Sequence, residues 1–281
     1  MSRLKVSILF ALALAGLICA APARAADQPA GAEEEPTPQP PRQSWSFAGA
    51  FGTFDRAQVQ RGFQVYKEVC SGCHRLSIPF RSLEDPTGPD FSEGQVKALA
   101  ASYQVTDDEP NAKGEFVKRP GRPSDIFPPP DAYPNDAAAA ATFGKAPPDM
   151  WVLAKARKYE RGFPWFIFDA IPGFQFQEMG ADYIYAIITG YMKPDDPQWN
   201  LYYPGHRIAM PAPLSDGAVA YKDGTPPTVQ NYAKDVAAFL FWVSDPTMVE
   251  RKKVGLRVMI FLLALSTALY FTKKRIWASA H

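Results

Sequence analysis

Cys70-Ser71-Gly72-Cys73-His74 restricts this chain more than any other stretch. A C-x-x-C-H run is the attachment signature of a c-type haem: two thiols add across the haem vinyl groups as thioethers, and the adjoining histidine offers an axial nitrogen to the iron. The two-residue gap keeps both sulfurs on one side of a single turn. Two other chemistries use a C-x-x-C pair. A structural zinc site needs further Cys or His ligands, and outside the motif the chain has only Cys19, His206 and His281, none of them sequence neighbours. A redox dithiol of the thioredoxin type follows a strand and opens a helix, whereas the residues before Cys70 read as a helix that ends at the motif.

That helix is the second half of the signature. From Asp55, Val59, Phe63 and Tyr66 fall at i, i+4 and i+7, with Val69 completing the apolar face. An amphipathic helix that delivers a C-x-x-C-H run is the entry of cytochrome c-like folds. Ser92 to Tyr103 predicts a second helix capped by Ser92, with Val96, Leu99 and Ala100 on one side. Residues 110–148 hold nine prolines, so no regular structure is expected there beyond a turn or the Ala137–Ala141 run. Such a stretch suits polypeptide that wraps a flat cofactor. Asp149 is expected to cap a helix over Met150–Arg157, Gly180–Thr189 is expected to be helical with Tyr183, Ile184, Ile187 and Ile188 on its apolar side, and Thr228–Ser244 has the strongest helical period. Residues 158–179 receive no assignment.

Both ends of the chain carry membrane signals. Arg3 and Lys5 precede an apolar run from Val6 to Ala20, and Ala23-Arg24-Ala25 offers a cleavage site, so residues 1–25 read as an export signal peptide. Its removal takes Cys19 with it and leaves only the two motif thiols. Residues 26–45 read as a flexible Pro/Glu-rich leader and 46–250 as the haem domain. Val254–Thr272, with Arg257 as its one charge, spans about 28 Å as a helix, close to a bilayer core of about 30 Å. The membrane segment with its basic flank is thus 251–272, and 273–281 is a short tail. With an export signal in front, the haem domain is expected in the periplasm of a bacterial inner membrane protein and the tail in the cytoplasm.

Charge divides unevenly along the chain. Between 26 and 250 lie all 29 acidic residues against twenty basic ones, a net charge of −9. That field favours a cationic partner and argues against nucleic acid. Asp107-Asp108-Glu109 and Asp195-Asp196 are candidate contacts.

A second axial ligand is sought among methionines and histidines. Met150 fits a helix face, Met179 and Met192 border glycine or loop sequence, and Met248 lies next to the membrane segment. Met210 stands in a loop between Arg207 and Pro213 whose flanking prolines restrict the backbone. A thioether opposite a histidine raises the haem potential. His206 is the rival and would give a bis-histidine haem of lower potential.

Several longer stretches then carry a resemblance: VCSGCH (69–74), KRPGRPSDIFPPP (118–130), APPDMWVLAKAR (146–157), ADYIYAIITGY (181–191), YYPGHRIAMPAPL (202–214), DGTPPTVQNYAKDVAAFLFW (223–242) and ERKKVGL (250–256). In these the chain resembles the cytochrome c1 family, the haem subunits of ubiquinol:cytochrome c reductase (the cytochrome bc complex, complex III), and its bacterial members in particular. The resemblance implies a mostly α fold, a cytochrome c-like haem domain enlarged by long loops with one C-terminal transmembrane helix, and a covalently attached haem c held by Cys70, Cys73 and His74, with Met210 as the axial methionine. It also implies Arg157 near a haem propionate, where the residues alone suggest a solvated helix-end cation, and Tyr183 near the haem. The implied partners are a Rieske iron-sulfur subunit, a cytochrome b subunit, a soluble cytochrome c, the lipid bilayer and a second copy within a dimeric multisubunit complex. Some bacterial members carry a stabilising disulfide in this domain, and the mature chain here lacks the cysteines for it. Two other classes remain open at this point: a free-standing membrane-anchored cytochrome c, and a haem peroxidase, which would want an open distal face and a base such as His206.

Overall fold

The computed structural model describes residues 36–107, 109–133, 135–159, 163–164 and 178–278. The expected signal at 1–25, residues 26–35 of the expected leader, Asp108 of the first acidic cluster, Pro134, most of 158–179 and the last three residues lie outside the described residues.

Helix α1, Arg56–Glu68, begins where Asp55 accepts hydrogen bonds from the amides of Ala57 and Gln58, and it buries Val59, Phe63, Val65 and Tyr66, the period read from sequence. A 3-10 turn over Cys70–Gly72 follows it directly. Helix α2, Glu93–Ala101, has a reciprocal capping box between Ser92 and Gln95.

The proline-rich stretch departs from expectation in one respect. Strand β1, Gln104–Thr106, pairs antiparallel with strand β2, Lys118–Pro120, a hairpin that periodicity does not show because each strand has only three residues and one ends in proline. Arg119 fastens it, reaching Asp107 at 3.2 Å and Asp125 at 2.6 Å. The chain then lies along the core: the amides of Phe80 and Arg81 donate to the carbonyls of Asp125 and Pro123, and the Phe127 ring centroid lies 4.0 Å from that of Phe80 and 6.3, 6.4 and 5.7 Å from those of Phe63, Tyr66 and Tyr103. It is wrapping polypeptide with an ordered course. Helix α3, Asp136–Phe143, is capped by Asn135 and ends at Gly144 in the left-handed region.

Helix α4, Leu153–Ala156, is shorter than the Met150–Arg157 helix expected, for a reason given below. Helix α5, Met179–Thr189, buries Ala181, Asp182, Ile184, Ala186 and Ile187, while Tyr183 and Ile188 are only half-buried. Asp182 is fully buried because it serves the N-terminal segment, accepting from the Gln43 amide at 3.0 Å and the Trp45 indole at 2.8 Å.

Helix α6, Val229–Ser244, is the centre of the domain, and α1, α5 and α4 all pack on it. Its burial exceeds one face: from Tyr232 to Val243 every residue except Lys234 is buried. Against α1 the approach is close because Gly62 has no Cβ. A Cβ built there would lie 2.1 Å from the Asp235 carbonyl oxygen. Beside this crossing Arg61 forms a fork on Asp235, at 2.8 and 3.1 Å, and extends to Asp223 at 2.8 Å. Asp235 is nearly fully buried, and the pairing is what makes a charge tolerable there.

Asp245-Pro246 ends α6, and helix α7, Met248–Trp277, leaves the domain. It starts earlier than the apolar segment because its first turn belongs to the domain: Met248 and Val249 are buried, Arg251 forks onto Asp245 at 2.6 and 2.7 Å, and the Lys252 ammonium donates to the Phe47 carbonyl at 2.7 Å. Beyond it the helix is exposed, has a mean hydropathy of 2.0 and is long and apolar enough to cross a membrane. Lys273 lies over the Trp277 ring at 4.8 Å, an amphipathic pair suited to the far interface. The fold is mostly helical with one apolar C-terminal helix that fits a single-pass anchor.

Candidate haem site

The motif occupies the end of α1. Cys70 and Cys73 are both free thiols, Cys73 exposed and Cys70 half-buried. Burial pushes the Cys70 thiol up to about 12, and its place at a helix C-terminus also disfavours a thiolate. A dithiol catalyst needs the opposite, a thiol with depressed pKa at a helix N-terminus. Cys70 is therefore not an activated thiol of the kind a redox dithiol uses. Among the described residues no three His, Cys, Asp or Glu side chains converge as a metal cage.

His74 follows with its amide donating to the Cys70 carbonyl at 2.8 Å. Its ring is buried, and burial lowers its pKa, so the imidazole is neutral at pH 7. Nδ1 stands 2.9 Å from the Pro148 carbonyl oxygen. A carbonyl can only accept, so the proton sits on Nδ1 and the lone pair on Nε2. A neutral imidazole with its second nitrogen committed to a carbonyl is the form that ligates a metal. The motif is braced twice more through backbone: the Tyr133 hydroxyl donates to the Cys73 carbonyl, and the Tyr66 hydroxyl lies 3.4 Å from the His74 carbonyl.

Met210 is half-buried on a loop that leaves the end of α5. The proline restriction expected from sequence is the smaller part of its rigidity. The two limbs of the loop are cross-bonded, Asn200 amide to His206 carbonyl at 2.9 Å, Ile208 amide to Gln198 carbonyl at 3.0 Å and Ala212 amide to Pro197 carbonyl at 3.1 Å. Asn200 pins the loop to α5 through its amide nitrogen on the Ile187 carbonyl at 2.7 Å, and the Tyr191 hydroxyl donates to the Met210 carbonyl at 2.8 Å.

His206, the rival ligand, is built into this same loop. Its backbone is left-handed (φ 56°), its Nδ1 lies 3.1 Å from the Asn200 carbonyl, and its ring stacks on Trp199 at 5.2 Å, with the Lys193 ammonium over Trp199 at 4.1 Å. It is a buried bracing residue of the Met210 loop, and because its Nδ1 also faces a carbonyl its Nε2 keeps the lone pair, so the bonding that suits His74 to a metal is present here as well.

Arg157 is exposed at the C-terminal end of α4, and its charge reaches Tyr183 on α5, where it opposes the upward push that burial gives the phenol. The acidic clusters are partly occupied: Asp107 serves Arg119, and Asp196 pairs with Arg207 at 2.9 Å. Glu109 and Asp195 have no ion-pair partner among the described residues.

Two brackets of the site escaped the sequence reading. Asp149 does not cap a helix: the residue before α4 is Val152, and the Asp149 carboxylate turns to Ser77 and the Trp151 amide. Pro148 supplies a carbonyl, a backbone group that no residue pattern singles out.

The donor set, two thiols, a lone-pair imidazole nitrogen and a braced thioether, fits a c-type haem. Comparison with known proteins agrees. The family model described as the Cytochrome C1 family matches residues 45–280. The chain is 49% identical over 257 residues to "Cytochrome b/c1" of Bradyrhizobium diazoefficiens, covering 88% of this chain and 37% of that much longer protein. It is 44% identical to "Cytochrome c1" of Blastochloris viridis over 90% of this chain and 91% of the relative, and 39% identical to "Cytochrome c1-2, heme protein, mitochondrial" of Solanum tuberosum over 84% of each. With one family model spanning nearly all the described fold and a full-length bacterial relative at this identity, the chain belongs to the cytochrome c1 family.

Proposed function

We propose that this chain is the haem-bearing electron-transfer subunit of a quinol:cytochrome c oxidoreductase. The observation that carries the reading is His74: its Nδ1–H is committed to the Pro148 carbonyl, which leaves Nε2 available beside Cys70 and Cys73. Cys70 and Cys73 would hold haem c through thioethers, His74 and Met210 would be its axial ligands, Arg157 would stand near a propionate and Tyr183 near the haem. Haem so held supplies a one-electron ferric/ferrous couple, set to high potential by a thioether ligand. The chain's part is to fix both ligands before any redox change, so that little reorganises with it. The cross-bonded loop does this for Met210, and the Pro148 carbonyl does it for His74.

The electron donor in this reading is a Rieske iron-sulfur subunit, the acceptor a soluble cytochrome c, and cytochrome b the neighbour of α7 in a dimeric complex. The haem domain lies in the periplasm, and α7 crosses a bacterial inner membrane. A name that joins b and c1 in one relative, from Bradyrhizobium, supports the association with cytochrome b. Acidic charge on the domain suits a basic acceptor and gives salt-sensitive encounter. Because Asp107 and Asp196 already face arginines, Glu109 and Asp195 are the better candidates for steering. Neutralising both should lower the rate of cytochrome c reduction at low salt and flatten its salt dependence; an unchanged profile removes them from the encounter surface.

Gentle detergent extraction, affinity purification through the C-terminus, reduced-minus-oxidised spectra and a quinol:cytochrome c assay test the whole reading. Co-purification of b-type haem and an iron-sulfur signal with inhibitor-sensitive quinol oxidation is expected. A lone c-type haem without quinol activity under the mildest extraction would instead favour a free-standing anchored carrier. Carbon monoxide binding to the reduced haem would favour the peroxidase class.

A further inference from the structure

From the bonding around His74 we infer that Asp149 is a positioning residue for the proximal ligand, acting through the Pro148 carbonyl. The inference rests on the haem reading above. Residues 147 and 148 are both proline, so this segment has no amide hydrogen of its own with which to anchor itself. Pro148 is also exposed, so packing does not hold its carbonyl in place. Yet that carbonyl is the acceptor for His74 Nδ1 at 2.9 Å.

What fixes it lies one and two residues on. The Met150 amide donates to the Arg75 carbonyl at 2.9 Å. The Asp149 carboxylate accepts from the Ser77 hydroxyl through Oδ2 and from the Ser77 amide at 3.3 Å through Oδ1, while Oδ1 also takes the Trp151 amide at 2.8 Å. Segments 74–77 and 148–151 are thereby zipped at His74, Arg75 and Ser77 in turn. One side chain closes the far end of the zip, and the Pro148 peptide plane is set between its bonds. The helix expected at Met150 starts only at Leu153 because its first turn is tight, the Met150 carbonyl accepting from the Leu153 amide at 3.3 Å, and the first full helical bond runs from the Ala156 amide to the Val152 carbonyl at 2.8 Å.

The consequence reaches the haem electronically. A well-aligned Nδ1–H···O=C bond makes the imidazole a stronger donor through Nε2, and a stronger donor favours the ferric state. Releasing the Pro148 carbonyl should therefore raise the reduction potential. Asp149→Ala removes all three acceptor contacts. Asp149→Asn keeps Oδ1 for the Trp151 and Ser77 amides and can turn its amide nitrogen to the Ser77 hydroxyl oxygen. Ser77→Ala removes the hydroxyl contact alone.

The test is a redox titration of the c-type haem in the membrane-extracted complex, with thermal unfolding measured alongside. Asp149→Ala should lower the ferric-to-ferrous ratio at fixed ambient potential by about threefold, ~28 mV at ~59 mV per tenfold for one electron. Ser77→Ala should move it less in the same direction, and Asp149→Asn should restore it. Ser92→Ala, which breaks the capping box of α2 away from the site, should lower the melting temperature and leave the potential alone. If Asp149→Ala behaves like Ser92→Ala, less stable but at wild-type potential, the inference is overturned. Should Asp149→Ala not accumulate, a wild-type potential in Ser77→Ala overturns it equally. A wild-type preparation with no c-type haem would defeat the haem reading itself, an outcome separate from these.

Discussion

Gly62→Ala tests the crossing that positions the motif. An added Cβ would stand 2.1 Å from the Asp235 carbonyl oxygen, 2.7 Å from its carbon and 2.6 Å from Phe239 Cβ. The first obstacle is helix backbone, which cannot rotate aside. To restore even a tight 3.0 Å contact, α6 must recede from α1 by about 1 Å. A gap of about 0.5–1 Å forfeits a quarter to a half of each dispersion contact along the interface. It also lengthens the Arg61–Asp235 fork, now 2.8 and 3.1 Å, at a buried carboxylate. Overpacking of this kind costs about 1–3 kcal/mol, and the broken fork adds to it, while Ala in place of Gly returns about 1 kcal/mol of helix propensity. The net expected loss is about 2–3 kcal/mol. For a domain of this size each kcal/mol lowers the melting temperature by about 2–4 °C, so a fall of about 4–12 °C is expected. Gly94→Ala is the control, since nothing lies within 4 Å of its Cβ and it sits in α2. It should be neutral or slightly stabilising. The assay is thermal unfolding of the detergent-purified protein by far-UV circular dichroism. A Gly62→Ala melt within a degree of wild type would refute the claim that α1 and α6 meet in fixed contact.

Other perturbations follow the same logic. Burial raises Glu178 from 4.5 to about 7; Lys155 and Lys252 oppose the rise, and Asp182 and Asp245 add to it. Because the folded value is the higher one, its favourable contribution is present below pH ~4.5 and is lost as pH rises through ~7. Glu178→Gln should thus flatten that decline and be more stable than wild type at pH 8, by on the order of 2–3 kcal/mol; equal pH profiles in denaturant unfolding would contradict it. Asp235→Ala strands Arg61 beside a buried gap, with only Asp223 left to it, and should cost about 3 kcal/mol in the same experiment. Tyr191→Phe deletes the bond to the Met210 carbonyl, worth about 1 kcal/mol, and should make the high-potential form of the haem give way at lower temperature or denaturant. No change in that transition would mean the loop is held without Tyr191.

Much of the scaffold was legible because burial imposes a period. Val59, Phe63 and Tyr66 announce α1, Asp55 and Ser92 announce helix starts, and α6 emerges from Tyr232 through Val243. The site was half legible. Cys70, Cys73 and His74 stand together in one C-x-x-C-H run, so a local motif singles them out. Met210 became specific only with its surroundings, since its rigidity comes from cross-bonds between residues 197–200 and 206–212 that leave no periodic trace. Arg157 and Tyr183 belong to different helices, α4 and α5, whose packing no local pattern shows. Asp149 was misassigned for a physical reason: its side chain satisfies helix caps and cross-chain amides equally well, and only the tertiary position of Ser77 decides between them. The β1–β2 hairpin escaped because an arginine with two carboxylates holds it, in place of an alternating apolar pattern.

The central claim is that His74 and Met210 together hold the haem iron. A redox titration of the c-type haem in Met210→Lys, beside wild type in the same membranes, tests it most directly. The account predicts a potential well below wild type, because an amine replaces the thioether that holds it high. A variant that titrates at the wild-type potential would show that Met210 is not bound to the iron.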